Sequence, residues 1–423
     1  MIELELTEAE QGMLSGADGP AVQMAMRILV TMARVYGAPR LLTISSAHID
    51  GCLYHGQSGL DFAERLVAGG AQVRVPTTLN VGAVDLLHPE HFQGSATQAQ
   101  AAARLMALYQ QMGCEPLWTC APYQAGQRPG FGEQIAWAES NAIVFANSVL
   151  GARTQRYGDF IDICAAITGR APAIGLHLAE NRRGQQVFDL TRLPLALLAE
   201  DAFFPVLGYY LGQRSAEQIP VLLGLPAGTS EDQLKALGAA AASSGAIALF
   251  HAVGLTPEAP TLAAALGDQP AEDVIVVSLD DLRATRQELS TVPDGPIGVV
   301  ALGSPHFSLA EFGALLPLLD EYAVHPDVEF IVCTNRFVLV QLARNGWRER
   351  LQAHNVRLVV DTCVVVTPIV RSQDRVLMTN SGKFAHYTPG NIGLQVIFGS
   401  LRECVRSAAQ GFVWRDDSLW GMV

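Results

Sequence analysis

A regular alternation of apolar runs and helical runs occupies residues 219 to 366 of this chain. The apolar runs lie at 221–225, 247–253, 274–279, 297–302, 329–333 and 356–361, and helical segments lie at 231–242, 281–289, 309–319 and 337–345. Strands that are apolar on both faces and alternate with helices predict a parallel sheet covered on both sides. We therefore predict an α/β fold in which helices flank parallel or mixed sheets.

Chemically useful residues fall where these predicted strands end. Cys333 closes one apolar run, Cys363 follows another, and the sequence GSPH at 303–306 follows a third. Ligands of parallel sheets bind beyond the carboxyl ends of the strands. We expect these residues to share one site.

The rest of the chain has a different pattern, which indicates a second domain. A length of 423 residues is long for one domain. Periodicity predicts helices at 7–36 (broken at 16–19), 58–68, 96–112 and 132–150, and short strands at 40–45 and 72–76. We predict an N-terminal domain of residues 1–215, which residues 375–423 complete, and a doubly wound α/β domain of residues 216–374.

Composition excludes several classes of partner. The net charge of −13 argues against binding to nucleic acid or to an anionic membrane surface, and no apolar run is long enough to span a membrane. The opening residues are acidic and carry no apolar signal core, so we expect a cytoplasmic protein with reduced thiols. Its seven cysteines then favour metal binding or packing over disulfides.

Three segments between residues 119 and 156 combine groups that suit a small anionic ligand. The sequence TCAPY at 119–123 places Cys120 on a turn fixed by proline, and AESNA at 138–142 and GARTQR at 151–156 add hydroxyl, amide and guanidinium donors. Such donors bind carboxylates and phosphates. A thiolate beside them indicates a metal centre next to a substrate. The candidate substrate-binding residues here are Ser140, Asn141, Arg153 and Arg156.

Two other interpretations of these polar residues stay open. They are polar residues on a helix surface, or the arginines pair with Glu139 or Asp159. The apolar sequence at 143–145 argues against a solvated surface position for Asn141.

The cysteines divide into two groups. Spacing alone gives weak evidence for a metal centre, because the chain contains no C-x-x-C pair and an isolated cysteine is usually an inert packing residue. Three cysteines lie in turns or at strand ends and are the candidate metal ligands: Cys120, Cys333 and Cys363. We interpret the other four as packing residues: Cys52, Cys114, Cys164 and Cys404.

Lysine is scarce, which draws attention to each position. Only two of the 28 basic residues are lysines, Lys235 and Lys383. Lys383 follows Ser381 and Gly382, and we predict that it lies in a glycine-flanked loop and acts in catalysis or in anchoring the substrate. Lys235 is expected on a helix surface, where substitution is tolerated.

Further motifs run in order along nearly the whole chain. They are AHIDG at 47–51, PTTLN at 76–80, GSPH at 303–306, DTC at 361–363 and NSGKFAHY at 380–387. Together with the segments between 119 and 156, they resemble the large, cluster-bearing subunit of aconitase X. The resemblance implies an aconitase-like fold and an iron–sulfur cluster with one iron open as a Lewis acid.

The resemblance also implies roles for particular residues. Cys120 and Cys363 are the expected cluster ligands. Some relatives are expected to carry cysteine where this chain has Ser304, so Cys333 becomes the third ligand here. A 2Fe–2S cluster is favoured, with 4Fe–4S and 3Fe–4S as alternatives. The implied substrate-binding residues are His48, Asp50, Thr78, Asn80 and Ser381; core packing, capping or turn formation are the alternatives for the first four.

The family contains cis-3-hydroxy-L-proline dehydratases and mevalonate 5-phosphate dehydratases. The resemblance therefore implies a hydro-lyase acting on a small hydroxy acid, and we favour hydroxyproline because the arginine-rich composition is typical of a bacterial chain. The alternatives are phosphomevalonate and a non-catalytic iron–sulfur or iron-sensing protein. In aconitases the proton-abstracting serine lies on a small swivelling domain, which we do not find in this sequence. We therefore expect a separate small subunit as partner.

Overall fold

The computed structural model describes residues 4–371 and 375–421. These residues divide into two compact units. The first comprises the residues up to Val84 together with Gly94–Arg183, and the second comprises Asp85–Gln93 together with the residues from Gly184 onward.

The first unit contains six helices and five short strands among its described residues. The helices are α1 (Glu8–Ser15), α2 (Pro20–Val35), α3 (Gln57–Ala68), α4 (Ala96–Gln111), α5 (Ser140–Phe145) and α6 (Ile161–Thr168). The strands are β1 (Leu41–Thr43), β2 (Ala47–Ile49), β3 (Thr77–Leu79), β4 (Ala136–Trp137) and β5 (Arg170–Pro172). Strands β3, β2 and β4 form a parallel sheet in that order, and β1 pairs with β5 in antiparallel fashion.

Local sequence explains the first two helices. Thr7 and Glu10 form a capping box, in which the backbone N–H of each residue donates to the side chain of the other, at 2.9 and 3.3 Å. Gly16 ends α1 with a φ of 96°, a conformation that glycine adopts without strain. The predicted break in the helical segment 7–36 is therefore confirmed.

Two predictions for the first unit are wrong. Segment 132–150 is not one helix, because residues 136–137 form β4 beside β2 and the helix α5 begins at Ser140. The predicted strand at 72–76 lies instead at β3, whose backbone pairs with β2 from Thr77 onward.

The second unit contains nine strands and ten helices among its described residues. The strands are β6 (Gln186–Asp189), β7 (Pro220–Leu223), β8 (His251–Ala252), β9 (Asp273–Val276), β10 (Ile297–Leu302), β11 (Glu329–Cys333), β12 (Val356–Val359), β13 (Val376–Thr379) and β14 (Val396–Phe398). The helices are α7 (Leu195–Leu198), α8 (Phe203–Ser215), α9 (Glu231–Ser244), α10 (Leu262–Ala265), α11 (Leu279–Glu288), α12 (Leu309–Glu321), α13 (Arg336–Arg344), α14 (Trp347–Ala353), α15 (Gly382–Ile392) and α16 (Leu401–Gln410).

These strands form two separate parallel sheets. One has the order β8-β7-β6-β9 and the other the order β12-β11-β10-β13-β14. A core of buried aliphatic and aromatic side chains packs the five-stranded sheet against α12, α13 and α16. The predicted alternation of strands and helices is confirmed, and β10 and β11 have the predicted bounds.

The domain organisation differs from the prediction. The segment 216–374 does not form one sheet, because β7, β8 and β9 pair with β6 from before residue 216. The tail 375–423 does not complete the N-terminal domain, because β13 pairs with β10 and β14 pairs with β13. Residue 374, the predicted boundary, lies outside the described residues. Among the described helices, none combines the length and the apolar character that a membrane crossing requires.

Candidate functional site

In the first unit, the parallel pairing of β2 with β3 brings two predicted substrate-binding residues together. His48 lies opposite Thr78 in the register, and its Nδ1 is 2.8 Å from Thr78 Oγ1. Both side chains are buried. Burial lowers the pKa of His48 to about 4, although the Glu139 carboxylate opposes this shift. The imidazole is therefore neutral at pH 7.

Asp50 and Asn80 follow the same two strands and also meet. The Asn80 Nδ2 amide donates a hydrogen bond to Asp50 Oδ1. The pKa of Asp50 is raised to about 7, mainly by burial and also by the carboxylates of Glu139 and Asp159, while the Asn80 hydrogen bond opposes the shift. A carboxyl group with such a pKa can accept or release a proton near neutral pH.

Asn141 holds the turn that carries Cys120. Its Nδ2 donates to the Cys120 carbonyl oxygen at 3.0 Å and to the Tyr123 hydroxyl oxygen at 2.9 Å. Tyr123 also stacks on Phe145, and buried side chains around them join this turn to β4 and α5. The prediction that Asn141 is not on a solvated surface is confirmed, since it is fully buried.

Four of the predicted residues in this unit leave a buried polar atom without a hydrogen-bond partner. The atoms are His48 Nε2, Asn80 Oδ1, Asn141 Oδ1 and Arg153 Nε. Since buried polar atoms in proteins are nearly always hydrogen-bonded, each such atom calls for an explanation. A bound polar ligand supplies one, so these atoms mark a candidate ligand site.

Ser140 and Arg156, the other two candidates between residues 119 and 156, do not show such an orphaned buried atom. The Ser140 hydroxyl donates to Glu139 Oε1 at 3.3 Å, and Arg156 is exposed.

Sequence reasoning missed the importance of Glu139 and Asp162. Glu139 caps α5 by accepting the Ala142 N–H at 2.7 Å, and it adopts a φ of 73°, which is costly for a residue with a side chain. Asp162 Oδ2 accepts the Asp50 N–H at 2.7 Å. The one sequence signal for both was a carboxylate flanked directly by apolar residues on its N-terminal side.

In the second unit, the carboxyl ends of the five-stranded sheet form the predicted edge. Residues Ser304, Cys333, Cys363 and Ser381 follow or end the adjacent strands β10, β11, β12 and β13. The Ser381 hydroxyl donates to the Ser304 carbonyl oxygen, and the His306 Nε2 is 3.2 Å from the Thr362 carbonyl oxygen. The expectation that these turns share an edge is confirmed.

Gly303 is required by its close approach to β11. It has a φ of 91°, and a Cβ atom there would lie 2.0 Å from the Cys333 carbonyl oxygen. Only glycine fits this position. The GSPH turn is thereby held against the end of the strand that carries Cys333.

The environments of the three candidate ligand cysteines are compatible with metal binding. Cys120 in the first unit and Cys363 in the second lie in turns outside helices and strands, and each is 6% exposed. Cys333 is fully buried at the end of β11. Soft thiolate donors of this kind suit an iron–sulfur cluster. The other four cysteines are packing residues as predicted: Cys52, Cys114, Cys164 and Cys404 are buried, and burial raises the pKa of each thiol.

The two lysines are placed differently from the prediction. Lys383 lies in the first turn of α15, which Ser381 caps by accepting the Phe384 N–H at 3.0 Å, and not in a loop. Lys235 is buried inside α9 and not on its surface. The ammonium of Lys235 contacts Glu311 at 2.5 Å and Asp232 at 2.8 Å. Burial lowers the pKa of Lys235, but these two carboxylates raise it by more.

Parallel sheets flanked by helices, with polar side chains and thiols at their carboxyl ends, define an α/β protein whose candidate sites lie at the sheet edges. Three family models match nearly the whole chain: aconitase X first domain at residues 3–180, second domain at 184–287 and third domain at 297–410. The chain belongs to the aconitase X family, which confirms the resemblance of its motifs. The second and third domains coincide with the two sheets of the second unit.

Individual relatives cover most of the chain. It is 45% identical to a cis-3-hydroxy-L-proline dehydratase of Pseudomonas aeruginosa over 95% of this chain and 69% of that protein. It is 38% identical to a phosphomevalonate dehydratase large subunit of Methanothermobacter thermautotrophicus, over 95% of this chain and 98% of that protein. The crystal structure of Thermococcus kodakaraensis aconitase X in its holo-form superposes with a TM-score of 0.86, at 34% identity, and covers 96% of this chain and 100% of that one.

Proposed function

We propose that this chain is the large subunit of a hydro-lyase that removes water from cis-3-hydroxy-L-proline to give Δ1-pyrroline-2-carboxylate. The observation that carries the proposal is the identity of 45% and 41% to two proteins named cis-3-hydroxy-L-proline dehydratase, from Pseudomonas aeruginosa and Hypocrea jecorina. Identity to the phosphomevalonate dehydratase large subunits is lower, at 38% or less.

The polar groups of the first unit support an amino-acid substrate. Asn80 Oδ1 and Asn141 Oδ1 are hydrogen-bond acceptors without a donor, and the Asp50 carboxylate is a third acceptor. The orientation of both amides is fixed, because each Nδ2 already donates to an oxygen. A hydroxyproline offers the matching donors in its ring ammonium group, whereas a phosphate group offers only acceptors at neutral pH.

The carboxylate of the substrate requires cationic or N–H donors. Arg153 has a buried Nε without a partner. Lys383 is half-buried in the first turn of α15, where the ammonium adds to the partial positive charge of the helix end. We assign both residues to the stabilisation of carboxylate charge, which grows as the adjacent C–H is deprotonated. Thr78, with neutral His48, contributes a hydroxyl beside the acceptors. Ser140, Arg156 and Ser381 are assigned to the outer part of the substrate site.

We assign the cluster to Cys120, Cys363 and Cys333, with 2Fe–2S favoured over 4Fe–4S or 3Fe–4S. When bound, a cluster with an open iron supplies Lewis-acid chemistry that makes the hydroxyl a better leaving group. The contribution of this chain is to position the substrate and to exchange protons. Asp50 is suited to proton exchange because its pKa is close to neutral.

A second candidate function is the dehydration of mevalonate 5-phosphate. One observation favours it: the matched region covers 98% of the Methanothermobacter large subunit but 69% of the Pseudomonas dehydratase. The matched region therefore spans nearly all of that large subunit and about two thirds of that dehydratase. The higher identity to the hydroxyproline dehydratases and the nearly complete coverage of a large subunit lead to one combined proposal. The enzyme is cytoplasmic, acts on hydroxyproline and is assembled from a large subunit and a small swivelling-domain subunit.

The test is a direct comparison of both substrates. The chain is purified anaerobically, combined with its cognate small subunit and assayed with cis-3-hydroxy-L-proline and with mevalonate 5-phosphate. Formation of Δ1-pyrroline-2-carboxylate, with a kcat/KM at least about a hundredfold above that for the phosphate ester, is the expected result. Preference for the phosphate ester would establish the second candidate function. Iron without turnover of either substrate would favour an iron–sulfur or iron-sensing protein without catalysis.

A further inference from the structure

A group of metal-ligating side chains lies in the segment Asp85–Gln93 of the second unit, and none of them is assigned to the substrate or cluster site. Asp85, His88 and His91 each present one ligand atom, and these atoms lie within 4.8 Å of one another. The Asp85 Oδ2 atom is 3.1 Å from His88 Nδ1 and 3.7 Å from His91 Nδ1. One carboxylate oxygen thus faces two imidazole nitrogens.

These separations match a tetrahedral coordination shell. Zinc binds imidazole nitrogen and carboxylate oxygen at about 2.0–2.2 Å, so two ligand atoms in a tetrahedral shell lie roughly 3.4 Å apart. The two separations from Asp85 Oδ2 lie on either side of that value. Modest side-chain rotations would therefore bring the three atoms onto one ion.

The local backbone holds Asp85 in position. Its Oδ1 accepts the N–H groups of Leu87 and His88, both at 2.9 Å, and its Oδ2 accepts the Val360 N–H at 3.1 Å. These bonds fix the turn that carries both histidines. They also tie it to the residue that follows β12.

Capping of the turn accounts for Asp85 but not for His91. The His91 Nδ1 is buried and makes no hydrogen bond, since 3.7 Å is too long for one. A cation between the ring and the carboxylate would satisfy this nitrogen.

We propose that Asp85, His88 and His91 bind a divalent transition-metal ion, with zinc as the best match. Three protein ligands leave the fourth position for water, so the ion exchanges more readily than a fully enclosed structural zinc. The ion would pin the segment Asp85–Gln93 to the end of β12. That end includes Asp361, which accepts the Leu86 N–H at 3.2 Å and lies two positions before Cys363.

Zinc binding to the cluster-loaded chain tests the proposal directly. Equilibrium dialysis is expected to give one equivalent of zinc beyond the metal held by the cysteines. Cobalt as a substitute is expected to give visible d–d bands without a thiolate charge-transfer band, because the ligands are nitrogen and oxygen. A cobalt spectrum showing thiolate ligation alone would overturn the proposal, since the cysteines would then be the site.

Single substitutions identify the ligands. His91→Gln and His88→Gln are each expected to lower the zinc affinity by more than about a hundredfold, the upper range for loss of an outer-shell partner. His91→Gln removes no hydrogen bond, so its circular dichroism should match that of the wild type. The control is His354→Gln, which removes a partly exposed histidine paired with Asp320. Unchanged zinc affinity in both test variants, or no zinc bound by the wild type, would refute the site.

Discussion

Asn80 donates a hydrogen bond from its Nδ2 to the Asp50 carboxylate, and its Oδ1 is left buried without a partner. The two residues are 30 positions apart and meet because β2 and β3 are adjacent parallel strands. The Asn80 Nδ2 group therefore holds the Asp50 carboxylate, and the Asn80 Oδ1 atom is available to accept a hydrogen bond from a ligand. The same division of roles occurs in Asn141, whose Nδ2 holds the Cys120 turn while Oδ1 stays unpartnered.

Asn141→Asp is expected to loosen the Cys120 turn. Aspartate keeps the shape of the side chain but cannot donate to the Cys120 carbonyl or to the Tyr123 hydroxyl. Loss of a buried donor costs about 1–3 kcal/mol for each group left unpaired, and we expect a similar loss of stability and a lower iron content. Thermal denaturation and iron analysis measure both. Asn181→Asp is the control, because Asn181 donates to the Gly175 carbonyl at an exposed position; an equal effect in both variants would contradict the role of Asn141.

Asp50→Asn is expected to flatten the pH dependence of stability. The pKa of Asp50 is raised from 3.8 to about 7, mainly by burial. The folded state therefore binds this proton more tightly than the unfolded state, so the free energy of unfolding falls as pH rises between these two values. The wild type loses up to about 4 kcal/mol over this range, an upper limit because Asp50 is partly exposed, and the variant should lose less.

Urea denaturation from about pH 5 to about pH 8 measures this slope. Asp320→Asn is the control, since the hydrogen bond from His354 lowers the pKa of that exposed carboxyl. Its stabilising effect is lost only as pH falls below that window, so this variant should keep the wild-type slope. An Asp50→Asn protein with the wild-type slope would show that this carboxyl does not cause the pH dependence of the free energy of unfolding.

Substitution of the two lysines is expected to separate activity from stability. Lys383→Ala should lower kcat/KM, and the loss should correspond to about 2–5 kcal/mol of transition-state stabilisation if the ammonium pairs with a desolvated carboxylate. The free energy of unfolding of this variant should change little. Lys235→Ala should destabilise the fold by at most about 3–5 kcal/mol, because it leaves the partly buried Glu311 carboxylate without its cation. Steady-state kinetics gives kcat/KM for both variants, and denaturation gives their free energies of unfolding. Equal kinetics in the two variants would remove Lys383 from the substrate site.

The sequence predicted those parts of the fold that local pattern determines. Strands β10 and β11 have the predicted bounds because they are apolar on both faces and lie between clear helices. The pattern failed at 132–150, because the apolar runs of that segment are short and periodicity cannot distinguish β4 and α5 from one buried helix. It also failed for the tail, since pairing of β13 with β10 joins residues far apart in sequence.

The candidate site was predictable as residue types but not as contacts. Motifs identified His48, Asp50, Thr78 and Asn80 separately, whereas their pairing follows from the register of β2 and β3. Burial of Lys235 was missed because its carboxylate partner Glu311 lies on another helix, 76 positions away. Long-range contacts of this kind leave no local signal.

Cys363→Ser is expected to remove most of the iron from the anaerobically purified protein. A serine hydroxyl is a poor ligand for iron–sulfur clusters, so the brown colour and the sulfur-to-iron charge-transfer absorption should fall together. Cys404→Ser is the matched control in the same unit, because that thiol is buried among packing residues. A Cys363→Ser protein with full iron and full activity would remove this residue from the ligand set. The same comparison with Cys333→Ser establishes whether Cys333 or a group near Ser304 completes the set.

The last prediction is that this chain requires a second subunit for turnover. The matched region accounts for 69% of the Pseudomonas dehydratase but for 98% of a protein named as a large subunit. We expect a small subunit of roughly 100–150 residues, the usual size of one domain, to supply the groups that complete the active site.

The purified chain should therefore hold iron but dehydrate neither hydroxyproline nor mevalonate 5-phosphate. Addition of the cognate small subunit should restore activity, and the rate should saturate with its concentration because one complex forms at equilibrium. An unrelated small protein of similar charge is the control for non-specific stabilisation. Full turnover by the chain alone would refute the two-subunit organisation, and the general base would then have to be sought among Asp50, His48, Ser304, Ser381 and Lys383.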